Sequence, residues 1–416
     1  MTIKHATGIH HVEFHTTRPQ NLIDIFVQTY GFVLSATRTT CDYSQWLLES
    51  SQCKLIISTT TAVAEKTTEM NCSQNHYEIL TPLLGDETTR NLVINRDTAF
   101  NIALAVTSVQ SVLDRTSDAQ VLVSRRKAVD QYGSIEYACI KSCIGNVVHS
   151  IIDMSQYSGS YLPGFLPITI DSSQEQKTNQ NLLSTIDHVA FAMPRNSAKV
   201  AIEWYENVLG LKRFVINQED DPFQGFTVRV GSMGMRMFSS VYWKCSETGC
   251  GDAASKLKFV FAESLIDPNS GSSDQITTFI ARHNGQPGLQ HIALTCTNSI
   301  KEVVRLTKAN GAQFLSPCSS YYSQENNGRV IEAAGENAAE LCKLGILLDD
   351  EADSCKTENT TSKLMTKALL QIFTRSIFGN DTFFLELIER RGASGFGAGN
   401  VRSLWKIVQR QMNHSG

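Results

Sequence analysis

Four segments of the chain repeat one pattern of apolar and polar positions, in which a short apolar strand is followed by a polar turn and an amphipathic helix. The pattern begins at Gly8–Phe14, Phe100–Ala105, Ile186–Ala192 and Leu289–Thr295. After each helix the sequence turns to strand-like runs, of which Phe226–Val230 is an example. The repeating unit is therefore a strand and a helix followed by several strands, used four times and paired into two domains.

The ends of these helices carry local signals. Three of the helices are predicted to stop at a glycine, because Gly31, Gly210 and Gly311 stand where a left-handed C-cap residue is needed. The pairs Asn196–Ser197 and Asn298–Ser299 are predicted to supply the N-cap residues of the last two helices.

The length of the chain supports the same division. A chain of 416 residues exceeds the usual size of a single core, so two domains are expected. The seam follows Tyr161–Phe165, and the polar segment Ser172–Asn181 is typical of a linker. We therefore expect an N-terminal domain over 1–165, a linker over 166–184 and a C-terminal domain over 185–416.

Composition excludes several classes of function. The net charge of −4 argues against a nucleic-acid-binding surface, which needs a clustered basic excess. No apolar run approaches the roughly 20 residues that span a bilayer. The 11 cysteines fall at irregular spacings, which is typical of free thiols in a reducing compartment. The first residues have neither a signal-peptide nor a transit-peptide pattern.

One carboxylate, Glu386, lies inside a nearly continuous apolar run. Apolar residues fill both sides of it from Phe383 to Ile388, so a strand here would be buried on both faces. An ionised glutamate in such a place needs a partner, because burial of an unpaired charge is very costly. An ion pair with Arg375 or Arg390 is one interpretation, and a metal shared with histidines upstream is the other.

The repeat makes the histidines interpretable. The equivalent position near the start of each unit is occupied by His11, Asn101, His188 and His291. In the closing strands, Ser150 of the first half stands where Glu386 stands in the second half. Only the second half therefore presents two imidazoles and a carboxylate. This ligand set, with coordination positions left open, is the facial triad of non-heme Fe(II) oxygenases.

Strand alternation predicts an apolar pocket in front of these ligands. His188 shares its face with Ala190, and His291 shares its face with Ala293, so small neighbours leave space before each imidazole. Phe384, on the strand of the glutamate, adds an aromatic wall. A pocket with aromatic walls and few polar groups suits an aromatic acid.

Several motifs together resemble those of the 4-hydroxyphenylpyruvate dioxygenase family, in the vicinal-oxygen-chelate (glyoxalase-type) superfamily. The matching segments extend over essentially the whole chain and are Leu162–Phe165, Ile186–Val189, Gly288–Leu294, Phe314–Pro317, Tyr321–Tyr322, Leu370–Thr374, Phe384–Glu386 and Gly395–Asn400. Within the family, Gly345–Asp349 and Leu404–Trp405 most resemble its dioxygenase-like branch of animals. The resemblance implies an α+β fold of two vicinal-oxygen-chelate domains, each made of paired βαβββ modules that form an open barrel.

The resemblance also implies the chemistry of the site. Its Fe(II) ligands are expected to be His188, His291 and Glu386, and its substrate a 4-hydroxyphenylpyruvate-type 2-keto acid that chelates the metal. With O₂ as the second small-molecule partner, the expected reaction is decarboxylation followed by hydroxylation in a dry, orienting cavity. The substrate-side glutamines and the aromatic wall of the family match Gln275, Gln290, Gln371, Phe373, Phe384 and Phe396.

The chain departs from the family's pattern at positions near the expected substrate. Met237 replaces a serine and Ala262 replaces an asparagine, so polar contacts to the ring or the keto acid are lost. Asn400 is a predicted N-cap of the last helix, whose apolar face includes Val401 and Trp405. Homogentisate-forming relatives have a phenylalanine at the position of Val401, whereas 4-hydroxymandelate synthases have a smaller aliphatic residue. Loss of that ring is expected to move attack from the ring carbon to the benzylic carbon.

Three functional hypotheses follow. The first is an Fe(II)-dependent dioxygenase that converts 4-hydroxyphenylpyruvate and O₂ to 4-hydroxymandelate and CO₂. The alternatives are formation of homogentisate from the same substrate, as in tyrosine catabolism, and a catalytically silent binding protein, suggested by Met237 and Ala262. The branch that the chain resembles implies a mitochondrial location, a quinone head-group precursor as in coenzyme Q synthesis and a homodimer. Without a visible transit segment, the cytoplasm is the other compartment considered.

Overall fold

The fold is given by a computed structural model, which describes residues 6–40, 43–60, 97–168, 181–216, 221–230, 233–241, 257–267, 271–317, 319–350, 367–379, 382–403 and 405. Most of the predicted linker, at 169–180, and the C-terminal residues 406–416 lie outside these ranges. No helix in the described ranges is both long enough and apolar enough to cross a lipid bilayer.

Within the described ranges, the strands form two mixed sheets of nine strands each. The first sheet contains β1 (Ala6–His15), β2 (Val33–Thr39), β3 (Tyr43–Ser50), β4 (Cys53–Thr60), β5 (Thr98–Val106), β6 (Val121–Asp130), β7 (Gly133–Lys141), β8 (Val148–Tyr157) and β9 (Leu166–Pro167). The second contains β10 (Leu183–Met193), β11 (Lys212–Phe214), β12 (Phe226–Val230), β13 (Met233–Val241), β14 (Lys258–Ser264), β15 (Gly288–Cys296), β16 (Leu347–Asp350), β17 (Ala368–Phe373) and β18 (Phe384–Arg391).

Helices connect the strands and pack against the sheets. They are α1 (Pro19–Asp24, continued by a π-helical turn over Ile25–Thr29), α2 (Val109–Leu113), α3 (Ala198–Leu209), α4 (Gln275–Arg282), α5 (Ile300–Ala309), α6 (Ser319–Ser323), α7 (Glu325–Ala333) and α8 (Ala338–Leu344). The last helix of the described chain, α9, begins at residue 398 and is described through 403 and at 405.

The sheet order confirms the predicted four-fold repeat. The opening strands β1, β5, β10 and β15 each lie parallel to the closing strand of their own module, in the pairs β1–β4, β5–β8, β10–β14 and β15–β18. Two modules join through antiparallel opening strands, β1 with β5 and β10 with β15. Each sheet curls into an open half-barrel built from two βαβββ modules. The expected α+β class and paired-module architecture are confirmed.

The three glycines predicted to end helices are all left-handed, but only one of them is the C-cap itself. Gly31, Gly210 and Gly311 all have positive φ angles, of 72°, 70° and 99°. Gly210 is the C-cap of α3 as predicted, whereas the C-caps of the other two helices are Tyr30 and Asn310, and Gly31 and Gly311 each lie one residue later. A left-handed residue at this point allows the chain to turn back towards the sheet without the steric cost of a Cβ atom.

The helix N-termini are capped differently from the prediction. Ser197 and Ser299 do occupy the N-cap positions of α3 and α5, but neither side chain makes a capping hydrogen bond. Instead, the backbone amide of Ala198 donates to Glu263 (3.1 Å), and that of Ile300 donates to Glu389 (2.8 Å). These carboxylates come from β14 and β18, so a neighbouring strand neutralises the positive end of each helix.

The two sheets share one hydrophobic core. The largest buried cluster contains residues of both halves, and the ring of Phe14 in β1 lies 5.5–6.0 Å from the rings of Phe378 and Phe383. On β8, His149 stacks against Trp204 of α3 and hydrogen-bonds Tyr205. The halves are therefore joined by packed aromatic side chains.

His149 makes this junction sensitive to acid. Its Nδ1 donates to the carbonyl of Ile102 (2.9 Å), and in the neutral ring its Nε2 accepts from the Tyr205 hydroxyl (2.9 Å). Burial lowers the pKa of His149 to about 4, from an ordinary value of 6.5. Between about pH 4 and 6.5 this histidine is therefore neutral in the folded protein but protonated in the unfolded chain.

Because of His149, we expect the free energy of unfolding to decrease as the pH falls from about 6.5 to 4. Above 6.5 the ring is neutral in both states, and below 4 it is protonated in both, so the loss develops between these values. The shift corresponds to a loss of roughly 3 kcal/mol in the free energy of unfolding. Denaturant unfolding of the wild type and of His149→Gln at pH 7 and pH 4 checks this prediction. An equal loss in the two proteins would contradict it.

Candidate metal centre and substrate pocket

Three adjacent strands bring His188, His291 and Glu386 to the concave face of the second sheet. Between β10 and β15, Ala190 lies opposite His291 and His188 lies opposite Ala293. Between the parallel strands β15 and β18, Ala293 lies beside Glu386. Because side chains alternate along a strand, this register projects all three side chains from one face.

The ligand atoms of these residues converge on one point. The Oε2 atom of Glu386 lies 3.5 Å from Nε2 of His188 and 3.6 Å from Nε2 of His291. One ligand atom from each residue lies within 4.8 Å of the others. Ligand atoms about 2 Å from a shared metal lie roughly 3 Å apart at right angles, so a small contraction suffices for coordination. No other group of three such residues occurs in the described ranges.

The charge balance at this point fits a cation. Glu386 is 2% exposed, and its only ion-pair partners among the described residues are the two histidines. Burial disfavours a charged His188, but the carboxylates of Glu386 and Asp187 outweigh this effect and raise its pKa. Burial, reinforced by His188, holds the pKa of His291 well below its ordinary value. Glu386 therefore favours positive charge beside it. Two imidazoles and one buried carboxylate that converge on one point form a donor set that fits a divalent metal.

The alternative ion pairs considered for Glu386 are wrong. Arg375 is exposed, and no ion pair joins it to Glu386 within the described structure. Arg390 instead forms a bidentate ion pair with Asp187, in which its Nε donates to Oδ2 at 2.7 Å and a terminal nitrogen donates to Oδ1 at 2.8 Å. The sequence pattern identifies the need for a partner but assigns this arginine to the wrong carboxylate.

Asp187 orients the first histidine. Its Oδ1 accepts a hydrogen bond from Nδ1 of His188 (2.9 Å), which leaves Nε2 of the imidazole free to face the metal position. Besides Arg390, Lys258 lies 3.5 Å from the same carboxylate. Burial alone would raise the pKa of Asp187, but these two cations hold it well below its usual range. By contrast, Nδ1 of His291 has no hydrogen-bond partner in the described structure.

Glu386 is held from its other side by an amide. Nε2 of Gln371, on β17, donates to Oε1 of Glu386 at 2.6 Å. Oε1 of Gln371 in turn accepts from Nδ2 of Asn400 at 2.8 Å. The resemblance groups Gln371 with Gln275 and Gln290 as substrate-side residues. The other two line the pocket without a side-chain hydrogen bond to any described residue, so their amides are available to a ligand.

The pocket in front of the triad is mainly apolar. The ring of Phe384 stacks on His291 with centroids 4.6 Å apart, and the ring of Phe396 meets His188 edge-on at 5.3 Å. Cross-strand neighbours Met237 and Ala262 form part of the opposite wall. Of the sequence-predicted site residues outside the triad, those that line this cavity are Gln275, Gln290, Gln371, Phe373, Phe384, Phe396, Val401, Met237 and Ala262.

Trp405 differs from these residues. It is completely buried in the apolar cluster that contains Val401 and Phe396, but it does not line the cavity. Its contribution is therefore to packing of α9 against the wall. The cavity itself has a volume of about 50 Å³, which is space for a few water molecules. An arylpyruvate needs more room, so binding requires part of this wall to move.

The expected N-cap of α9 is also wrong. Asn400 lies inside the helix, which begins at residue 398, and its side-chain amide donates to Gln371 and to the carbonyl of Leu369. The cap is supplied from β16, where Asp349 accepts the backbone amide of Gly399 at 3.0 Å. Local sequence favours asparagine as a cap, but a buried carbonyl and amide within reach provide partners that water cannot.

The first half-barrel confirms the predicted equivalences and lacks the triad. Asn101 lies opposite Glu13 and beside Val148, so its strand position matches that of His291, and Ser150 matches Glu386. Asn101 donates to Ser150 (2.9 Å) and to the buried Glu13 (2.8 Å). Gln45 also donates to Glu13, at 2.6 Å. In the first half-barrel these positions therefore hold side chains that hydrogen-bond one another, in place of the candidate metal-binding residues of the second.

Sequence reasoning missed the residues that support the triad. Asp187 directly precedes the candidate ligand His188, and Asn400 ends a matched motif. These positions are the only sequence signals for their roles. Lys258 gives no local signal, since its approach to Asp187 depends on how β14 pairs with β10. A larger cavity of about 570 Å³ is lined only by residues of the first half of the chain, between Ser35 and Pro167.

Comparisons with known proteins agree with this architecture. No protein-family model matches the chain. It is 30% identical to the human 4-hydroxyphenylpyruvate dioxygenase-like protein over 99% of this chain and 98% of that one. It is 28% identical to the 4-hydroxyphenylpyruvate dioxygenase of Dictyostelium discoideum, over 80% of this chain and 84% of that one. A mutant 4-hydroxymandelate synthase from Streptomyces coelicolor superposes with a TM-score of 0.71 at 20% identity, covering 98% of this chain and 99% of that one.

Proposed function

This chain belongs to the 4-hydroxyphenylpyruvate dioxygenase family, in its dioxygenase-like branch, and on that premise we propose that it is an Fe(II)-dependent 2-keto-acid dioxygenase. The proposed reaction converts 4-hydroxyphenylpyruvate and O₂ to 4-hydroxymandelate and CO₂. The single observation that carries the proposal is the convergence of His188, His291 and Glu386 at the head of an apolar pocket.

The ligand set supports iron as the metal. Two imidazoles and one carboxylate on one face leave coordination positions free for a chelating substrate and O₂. When bound, Fe(II) would act as a Lewis acid and template and would activate O₂. The protein holds the ligand orientations through Asp187 and Gln371, so that little rearrangement is needed on metal binding.

The remaining pocket residues are proposed to orient the substrate and exclude water. Gln275 and Gln290 offer uncommitted amide groups to the keto acid or to the phenol. Phe373, Phe384 and Phe396 provide an apolar wall for the aromatic ring. Since α9 carries a wall residue, Val401, its closure over bound substrate would complete a dry site.

Val401 is proposed to determine which carbon is hydroxylated. Its short side chain lines the cavity in the same cluster as Ala190, Ala262 and Phe396. A phenylalanine at this place would fill space beside the aromatic ring of the substrate and turn that ring towards the metal. With valine, the benzylic carbon is the one expected to lie closest to the reacting centre.

We predict that Val401→Phe shifts the product ratio towards homogentisate by at least about tenfold, which corresponds to 1.4 kcal/mol between the two transition states. Liquid chromatography of products formed from 4-hydroxyphenylpyruvate by both proteins measures this ratio. Val401→Leu, which adds aliphatic bulk without a ring, is the matched control and should retain mandelate as its main product. An unchanged product ratio in Val401→Phe would contradict the proposed role of this residue.

Homogentisate formation is the second candidate function, because the 28%-identical relative is named as a 4-hydroxyphenylpyruvate dioxygenase. A catalytically silent binding protein is the third, since Met237 and Ala262 present apolar groups on facing strands. Consumption of O₂ by the iron-loaded protein on addition of 4-hydroxyphenylpyruvate separates an enzyme from a binding protein. Binding of substrate without O₂ consumption would overturn the proposed activity.

A further inference from the structure

We propose that Asn400 is a positioning residue of the metal centre, which acts through Gln371 to hold the carboxylate of Glu386 towards the metal. This inference rests on the proposed metal binding and extends it to a residue that contacts neither metal nor substrate pocket. Asn400, Gln371 and Glu386 are 0%, 1% and 2% exposed, so water does not compete for their hydrogen bonds.

The polarity of this chain of hydrogen bonds is set at its far end. Nδ2 of Asn400 donates to the backbone carbonyl of Leu369 at 3.2 Å, and a carbonyl can only accept. The Asn400 amide is therefore fixed with its NH₂ group towards Leu369 and Gln371. Oε1 of Gln371 accepts from that NH₂ group at 2.8 Å, which directs Nε2 of Gln371 to Glu386.

A reversed Gln371 amide would face Glu386 with its carbonyl oxygen. Two acceptor oxygens at the observed separation of 2.6 Å repel each other, and the buried carboxylate would lose a donor. Oε1 of Glu386 is thus occupied by Gln371, and Oε2 is the oxygen left facing both histidines. Nε2 of Gln371 also donates to the backbone carbonyl of Phe396 at 3.4 Å, which favours the same amide orientation. Asn400 therefore acts together with this carbonyl to keep Oε2 of Glu386 facing the histidines.

The backbone around Asn400 is shaped to make this contact. Gly397 has a φ of +72°, and a Cβ atom there would lie only 2.2 Å from Oε1 of Gln371. Only glycine therefore permits the loop to approach the amide this closely. The same loop accepts hydrogen bonds from Arg390 at the carbonyl of Gly395 (2.6 Å), and Arg390 also binds Asp187. The loop that begins α9 therefore contacts both Arg390, whose partner Asp187 orients His188, and Gln371, which orients Glu386.

Titration with Co(II), followed by its visible absorption, tests this role without activity. The wild type should bind one Co(II) per chain in the second half-barrel. Asn400→Asp keeps the size of the side chain but replaces the NH₂ donor with an acceptor, and Asn400→Ala removes the contact. Both should weaken Co(II) binding by about 10- to 100-fold, the usual effect of losing an outer partner of a ligand. Asn337→Asp, at the exposed N-cap of α8, is the matched control and should bind as the wild type does.

A double-mutant cycle separates positioning from general destabilisation. If Asn400 acts through Gln371, Asn400→Ala should weaken Co(II) binding in the wild type but have no further effect in Gln371→Ala. Additive losses, or Asn400 variants that bind Co(II) as tightly as the wild type, would overturn the inference. Failure of the wild type itself to bind Co(II) or Fe(II) would instead refute the proposed function, so the two failures are distinguishable.

Discussion

Replacing His188 with alanine should abolish Fe(II) binding and all O₂ consumption that depends on 4-hydroxyphenylpyruvate. The substitution removes one of the three proposed protein ligands, and it leaves Glu386 buried with His291 as its remaining ion-pair partner in the described structure. We expect the loss of metal affinity to exceed the roughly 100-fold that is typical for outer partners of a ligand. Metal content after gel filtration and O₂-electrode traces measure both effects.

The internal repeat provides a control for this experiment. His11 occupies the equivalent position in the first half-barrel, opposite Ala103 as His188 is opposite Ala293. Because its half-barrel lacks the other two ligands, His11→Ala should leave one Fe(II) per chain and unchanged O₂ consumption. Retention of iron and activity by His188→Ala would disprove the triad, as would loss of iron from a folded His11→Ala protein.

Replacing Asp187 with alanine should be the most destabilising substitution near the site. Arg390 and Lys258 would remain at 14% and 6% side-chain exposure without the carboxylate that now lies between them. Removing one partner of a buried ion pair typically costs about 3–5 kcal/mol, because the remaining charge stays desolvated. Denaturant unfolding of the metal-free protein measures this loss.

The stability loss caused by Asp187→Ala can be distinguished from that of an exposed ion pair by its size and its pH dependence. The folded-state pKa of Asp187 is depressed, so its contribution is complete above the unfolded-state value and is lost only as the pH falls below about 4. The cost of Asp187→Ala should therefore be constant between pH 5 and 8. Glu325→Ala breaks an exposed pair with Arg329 and should change stability by less than about 1 kcal/mol. A comparably small effect for Asp187→Ala would contradict the buried-pair account.

The features that could be predicted from sequence are those set by local periodicity and by the repeat. Alternation along β10 and β15 identifies the faces of His188 and His291, because a strand has only two faces. Comparison of the modules then places Glu386 at the position that Ser150 holds in the first half, and the strand register confirms that equivalence. The amino-acid sequence alone therefore suffices to nominate all three ligands.

The features that could not be predicted depend on contacts between distant segments. Local rules assign N-caps to Ser197 and Ser299, but carboxylates from neighbouring strands supply the caps. Arg390 is a candidate partner of Glu386 by sequence, yet it lies beside Asp187, 203 positions away along the chain. Such pairings depend on sheet register and on which partner is closer in space, and neither is encoded in a local pattern.

Gln371 illustrates a limit of reasoning by resemblance. The family match groups it with Gln275 and Gln290, since all three are glutamines expected near the substrate. In the folded chain its amide is already engaged by Glu386 and Asn400. A residue that lines the pocket can thus serve chiefly to orient a ligand of the metal, and only its hydrogen-bond partners reveal this difference.

The most direct measurement of the central claim is product identification from the iron-loaded wild-type protein. Incubation with 4-hydroxyphenylpyruvate under ¹⁸O₂, followed by mass spectrometry, should yield 4-hydroxymandelate that carries ¹⁸O in its benzylic hydroxyl group and one ¹⁸O in its carboxylate, together with CO₂. Homogentisate as the sole product would contradict the proposed role of Val401. Unchanged substrate in the presence of bound iron would contradict the assignment as a dioxygenase.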